Sequence, residues 1–243
     1  MPQGVKPPSH HITGRGPVLA VIPARGGSKA VPRKNLVRVG GRPLLEWTLA
    51  AARAAMCIDR VIVSTDDEEI AAVARAGGAD VPFLRPAELA RDDSAGADVV
   101  LHATAWLKEH QGYLPEYVVT LQPTSPLRTA NDVDAAVGLA RAHDAHSVIS
   151  VSPAAQSPYW MVRVDADLQV HEFLPGDPPT RQQLPPLYVI NGAVYVTETA
   201  HLLQTRALYG AGTLAYVMPE ERSLDLDTEW DMQLADLVLG ARR

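Results

Sequence analysis

The sequence is poor in several things that would have pointed to other kinds of protein. Among its 243 residues there is a single cysteine, Cys57, which excludes an internal disulfide framework and suits a reducing compartment. In the apolar surroundings of a helix end, that cysteine reads as a small core residue rather than a reactive thiol. Positive charge is also in deficit: 22 Lys and Arg against 28 Asp and Glu give a net charge of −6. No general nucleic-acid partner is therefore expected. Any anion this chain binds must be bound locally. No apolar run reaches membrane-spanning length, so no membrane association is expected. The opening "MPQGVKPPSHHITGRGP" lacks the apolar core of a secretory signal and reads as a loose leader over residues 1–16. With no export signal, a cytoplasmic location is expected. There are no internal repeats or low-complexity segments. Neither the GxxxxGK[ST] nor the GxGxxG phosphate-binding pattern occurs where the first strand ends, which disfavours switch-type NTPases and dinucleotide dehydrogenases.

What is present is an orderly alternation. "VLAVIP" (18–23) is a short apolar run, as in a strand covered on both faces. "PLLEWTLAAARAA" (43–55) reads as a helix with proline in its first turn. "RVIVSTDDEEIAAVARAGG" gives a strand, a Thr65–Glu68 capping box, a helix and a Gly77–Gly78 stop. "SAGADVVLHATAWLKEH" is a further helix with Ser94 at its N-cap, followed by the strand "YVVTLQP", the helix "NDVDAAVGLARAH" and the strand "HSVISVSP". This order predicts a three-layer α/β/α domain with a mainly parallel sheet over residues 17–243. The pattern breaks at about 153–188. A hairpin around Asp165-Ala166-Asp167 and the proline-rich "LPGDPPTRQQLPP" read as a β-rich insertion. "LYVINGAVYVT" then resumes as strand, and "DTEWDMQLADLVLG" closes the chain as a helix with Asp227 or Thr228 near its cap.

Against the net negative charge, "ARGGSKAVPRKN" (24–35) concentrates Arg25, Lys29, Arg33 and Lys34 around Gly26, Gly27 and Ser28. It stands at the carboxyl end of the first strand, where ligands gather in open α/β sheets. Two glycines allow backbone N–H groups to approach an anion, and a triphosphate matches that many donors. A solvated basic loop is the plainer alternative. Asp225 and Asp227 in "SLDLDTE" share one face of an extended segment and suit Mg²⁺. They read equally well as N-capping acids of the last helix.

"IPARGGSKAVPRKN" resembles the N-terminal signature of the acylneuraminate cytidylyltransferase family, which makes CMP-activated nonulosonic (sialic-type) acids. "FLRPAELARDDS", "LQPTSPLR", "RQQLP…NGAVY" and "SLDLDTEWD" agree in order, so the resemblance runs from about residue 18 to 239. It implies a nucleotide-diphospho-sugar transferase fold with a small β-rich dimerisation arm, hence a homodimer. CTP and a nonulosonic acid would be the substrates and Mg²⁺ the cofactor. By this resemblance Arg25, Gly26, Gly27, Ser28, Lys29, Lys34, Asn35, Arg85 and Ser94 hold the nucleotide. Asp225 and Asp227 hold the metal, with Arg25 and Lys34 acting on the phosphates. Gln122, Arg181 and Tyr195 face the acceptor, Arg181 as a fork for its carboxylate. Either aspartate or a metal-bound hydroxide takes the proton of the attacking hydroxyl. The chain departs from the family at Ala30, where glycine is usual, at "DDSAG", which offers only Ser94, and at Val189-Ile190, where arginine often stands. The "RQQLP…NGAVY" segment fits the sialic-type branch better than enzymes making CMP-Kdo. A non-catalytic nucleotide-binding relative would be expected to lack the aspartates or the loop lysines, and all are present.

Overall fold

A computed structural model describes residues 16–28, 31–174, 176, 180 and 184–241. Apart from Gly16, the expected leader lies outside these residues, as do Lys29 and Arg181.

The apolar runs become one six-stranded sheet. Its strands are β1 (Val18–Pro23), β4 (Arg60–Ser64), β5 (Tyr117–Thr120), β6 (Ser147–Pro153), β9 (Tyr188–Glu198) and β10 (Leu214–Val217). Their order is β10-β6-β9-β5-β1-β4, and among them only β9 runs against its neighbours. Strand periodicity sends alternate residues of β1 to opposite faces. Val18, Ala20 and Ile22 pack with α1 (Leu44–Ala54), α2 (Glu68–Ala76) and α4 (Ala130–His143), whereas Leu19 and Val21 pack with α3 (Gly96–Gln111) and α5 (Thr199–Thr205). These are the three layers that the alternation predicts. A third cluster joins α6 (Glu229–Gly240) to β2 (Arg38–Val39), itself paired with β3 (Arg42–Pro43), through Leu239, Met232 and Val39, and it also encloses Leu226.

Two capping expectations are corrected. The N-cap of α2 is Asp67, whose Oδ1 accepts from the amides of Glu69 and Ile70, while Thr65 Oγ1 accepts from the Asp67 amide, two residues too early to cap. The N-cap of α3 is Ala95, without a side-chain bond. Ser94 turns back to accept from the Arg91 amide and donate to the Glu88 carbonyl, both at 3.1 Å. At α6, Thr228 forms a capping box with Asp231, so neither Asp225 nor Asp227 caps the helix.

The expected hairpin appears as β7 (Val162–Val164) and β8 (Val170–Glu172), outside the main sheet. No helix among the described residues is long and apolar enough to cross a membrane.

Candidate active site

Beyond the carboxyl ends of β1, β4 and β5 five segments meet: the loop after Pro23, residues 64–67, residues 121–128, the start of β9 and residues 223–227. The β1 loop is tied to β4, the Ala24 amide donating to the Ser64 carbonyl at 3.0 Å. Each described cation of the loop has an acidic neighbour. Arg25 pairs with Asp92 at 2.8 Å, Arg33 with Asp67 at 2.9 Å and Glu69 at 3.0 Å, and Lys34 lies 3.4 Å from Asp227. The Gly26 amide donates to Asp66 Oδ1 at 2.9 Å, and a Cβ at Gly26 would stand 2.8 Å from Asp67 Oδ2. Half-exposed pairs of this kind contribute at most about 1 kcal/mol each, so stronger anions can replace them. Gly27 is exposed and Ser28 half-buried. Asn35 is buried and donates from Nδ2 to the Arg25 carbonyl at 2.9 Å, which makes it a brace of the loop.

Arg85 is buried too. Its Nε donates to Ser64 Oγ at 3.0 Å and its Nη2 to the Ser64 carbonyl, binding residues 85–89 to the end of β4. Burial brings its pKa down to about 10, with Asp66 opposing and Arg25 reinforcing the shift. Arg85 and Asn35 thus brace this edge of the site through their contacts with Ser64 and the Arg25 carbonyl.

The aspartate pair is fixed by what lies between its members. Leu226 is fully buried, worth about 1.5–3 kcal/mol for a leucine. Its amide donates to the Thr124 carbonyl at 2.9 Å and its carbonyl accepts from Lys34 Nζ at 2.6 Å. The segment is therefore anchored to both the β5 loop and the basic loop, with Asp225 half-buried and Asp227 exposed. Asp225 Oδ1 is buried with no hydrogen-bond donor among the described residues. Burial pushes the Asp225 carboxyl above its ordinary range and Asp227 adds to this, while Thr124 and Lys34 oppose. A buried carboxylate oxygen without a donor, two residues from a second carboxylate, has the chemistry of a hard-cation ligand. No cluster of three or more acidic, His or Cys ligands occurs among the described residues. A cation here would draw its remaining ligands from water and from a bound phosphate.

Gln122 faces this pair. β9 bulges between Ile190 and Tyr195, opposite the short step from Ile149 to Val151 on β6. Ser150 Oγ spans the bulge, donating to Asn191 Oδ1 at 2.6 Å and accepting from the Val194 amide at 2.7 Å. Gly192 sits on the bulge at φ +72°, and a Cβ there would lie 3.2 Å from Gln122 Oε1 and 3.6 Å from Asp225 Oδ2. Asn191-Gly192 is thus a bulge that aims backbone at the site, not a free turn. Tyr195 lies further along β9, buried against Ile149 and Val151 and stacked on Tyr209 at 6.1 Å. Burial raises its hydroxyl pKa, with Tyr209 and Asp225 adding to it. The structure therefore brings Arg25, Gly26, Lys34, Asn35, Gln122, Asp225 and Asp227 to one edge. Sequence reasoning passed over Arg128 in "LQPTSPLR", whose signal was the one charge in that stretch between strand and helix.

A cytidylyltransferase family pattern matches residues 19–158. Among curated proteins, the chain is 33% identical over 224 residues to the CMP-N,N'-diacetyllegionaminic acid synthase of Legionella pneumophila, covering 91% of this chain and 96% of that one. It is 32% identical over 222 residues to the N-acylneuraminate cytidylyltransferase of Escherichia coli O18:K1:H7, covering 91% of this chain but 52% of that one. The chain thus spans about half the length of the latter. Among solved structures, CMP:2-keto-3-deoxy-manno-octonic acid synthetase complexed with CTP superposes with a TM-score of 0.70 at 16% identity, covering 93% of this chain and 100% of that one. A 4-diphosphocytidyl-2C-methyl-D-erythritol synthase does so at 0.66 and 15%, over 93% and 100%. These two likenesses establish the nucleotidyltransferase-type α/β fold. Together with the pattern over 19–158 and the identity to the Legionella enzyme, they lead to one conclusion: the chain belongs to the cytidylyltransferase family.

Proposed function

We propose that this chain transfers CMP from CTP to a nonulosonic, sialic-type acid and releases pyrophosphate, with Mg²⁺ held by Asp225 and Asp227. The observation that carries this reading is the donorless, buried Oδ1 of Asp225 beside Asp227 and Lys34. Support for the acceptor class comes from the relatives, named for N-acylneuraminate, diacetyllegionaminic and pseudaminic acids.

In the reaction a sugar hydroxyl oxygen bonds to the α-phosphorus, the bond to the β-phosphate oxygen breaks, and pyrophosphate departs with the electron pair. The hydroxyl proton passes to a carboxylate at the site. Mg²⁺, held by Asp225 and Asp227, would neutralise phosphate charge. The chain's own share is electrostatic and positional. Arg25, Lys29 and the Gly26 amide meet the triphosphate in place of Asp92 and Asp66. Lys34, its side chain only 11% exposed and held by the Leu226 carbonyl, keeps a fixed charge beside the metal pair for the leaving group. Gln122 offers an amide to the acceptor's hydroxyls and Arg181 a fork to its carboxylate.

We also read the arm as a dimer contact. Val162, Val164, Val170 and Phe173 are all more than half exposed on a two-stranded hairpin, which needs a covering surface to persist. A second copy of the chain supplies it. Dependence on CTP and a lone cysteine, its pKa pushed up to about 12 by burial and Asp134, fit a cytoplasmic enzyme without thiol chemistry.

The test is pyrophosphate release from CTP and Mg²⁺ with N-acetylneuraminate, legionaminate, pseudaminate, Kdo and a sugar 1-phosphate. Release with one nonulosonic acid is expected. Release only with the sugar phosphate would overturn the carboxylate reading of the acceptor.

A further inference from the structure

Arg128 is 3% exposed and makes no salt bridge among the described residues. Burying a guanidinium without a paired carboxylate costs several kcal/mol, and only well-placed acceptors offset it. Its acceptors come from three parts of the chain. Nη1 donates to the Gln122 carbonyl at 3.1 Å and the Ala193 carbonyl at 2.7 Å, and Nη2 donates to Thr48 Oγ1 on α1 at 2.7 Å. Thr48 Oγ1 in turn donates to the Gln122 carbonyl at 3.4 Å.

The place of these contacts explains the need for them. The β5–β9 ladder ends at the pair Thr120 and Tyr195. Beyond it the β9 bulge carries Ala193 out of register, so the Gln122 and Ala193 carbonyls have no rung to join. Arg128 stands in for the missing rungs, with one nitrogen spanning the two strands. The residues it spans are Gln122 itself and the immediate neighbour of Gly192. Above them, Gln122 Oε1, the Gly192 backbone and Asp225 Oδ2 converge within the reach of a single added carbon.

The geometry points to Arg128 as a positioning residue: it sets the spacing of Gln122 against Gly192 and Asp225, and through that spacing the binding of the acceptor. It touches neither substrate. The acceptor part of this inference rests on the proposed function; the clamp itself does not. A lysine keeps the charge but has no planar fork, and so cannot hold both carbonyls and Thr48 together.

The test compares Arg128→Lys, Thr48→Val and Thr48→Ser with the wild type. For Arg128→Lys the expected result is an acceptor KM raised about tenfold or more, with the CTP KM within about twofold. Thr48→Val should show the same split at smaller amplitude, and Thr48→Ser should restore wild-type values. Amide hydrogen exchange should quicken in 121–124 and 191–194 of Arg128→Lys, and not in β1 or β4. A parallel rise of both KM values, or unchanged exchange in those segments, would overturn the proposal. If Arg128→Lys does not fold, Thr48→Val carries the comparison, and an absent split there is equally fatal. A wild-type protein silent with every acceptor would instead fail the functional reading, and exchange alone would then decide the clamp.

Discussion

Lys34 Nζ donates to the carbonyl of Leu226 at 2.6 Å, the residue set between Asp225 and Asp227. The basic loop after β1 and the acidic segment before α6 are therefore one unit, although they lie near opposite ends of the chain. Asp227 stays 3.4 Å from the ammonium and largely exposed.

Replacement of Asp227 by Asn should test that unit with little structural cost, because Thr228 and Asp231 cap α6 without it. Turnover is expected to fall by about 10²–10³, as for loss of one charge-stabilising group, and to lose its response to added Mg²⁺. Circular dichroism should be unchanged. Near-normal turnover would remove Asp227 from the metal pair.

Asp66 accepts the Gly26 amide that the proposed reaction assigns to a phosphate. Asp66→Ala should therefore lower the KM for CTP, by about two- to fivefold, the equivalent of one exposed charge contact. Steady-state kinetics at fixed acceptor would show it. An unchanged or raised KM would mean that the carboxylate orients the loop instead of competing with the nucleotide.

A pH dependence of stability follows from Asp132. Burial alone would raise its pKa, but hydrogen bonds from Arg222, Thr129 and Tyr216 outweigh this and hold it below the ordinary value. The folded pKa is thus lower than the unfolded one, about 3.9. The stabilisation is present in full above that value and is lost as pH falls through the folded pKa. Asp132→Asn should cost about 1.5–3 kcal/mol at neutral pH, as for lost hydrogen bonds to a charged group, because the Arg222 left behind is partly exposed. It should also flatten the acid limb of the denaturation curve. Parallel acid limbs for the variant and the wild type would refute this.

The arm carries its own prediction. Val164 and Val170 face each other across β7 and β8 and are 58% and 66% exposed. The double change Val164→Glu with Val170→Glu should convert a dimer to monomer in sedimentation velocity without shifting the thermal transition of the main domain. A variant that still sediments as a dimer would place the contact elsewhere.

What the sequence made legible was governed by short range. The buried runs of β1, β4, β5, β6 and β9, the helices α1 to α4 and α6, and a cap for α6 at Asp227 or Thr228 all follow from period and neighbouring residues. So does the hairpin around Asp165-Ala166-Asp167. The strands β2, β3 and β10 and the helix α5 escaped notice because two to seven residues carry too little pattern. Thr65 misled as a cap because both it and Asp67 are good capping residues, and only the turn geometry selects between them. The contacts that hold the site together join residues separated along the chain. Asn35 and Arg85 donate to the carbonyls of Arg25 and Ser64, 10 and 21 residues away, and no local pattern announces those partners. Arg128 depends on Thr48 and Ala193, and no local spacing encodes such a meeting.

Pro153 at the end of β6 pairs with Tyr188 at the start of β9, and the Ala154 amide donates to the Leu187 carbonyl at 2.9 Å. The insertion therefore leaves the sheet and re-enters it at adjoining points, as a handle whose two roots are already joined. Its length and composition can change at the small entropic cost of a longer closed loop, without altering the register of any strand. Because β9 alone is reversed, those roots stand on the edge where Gln122 and Asp225 meet. Changes in the handle can thus be made without disturbing Gln122, Gly192 and Asp225, whose positions are set by the sheet and not by the handle.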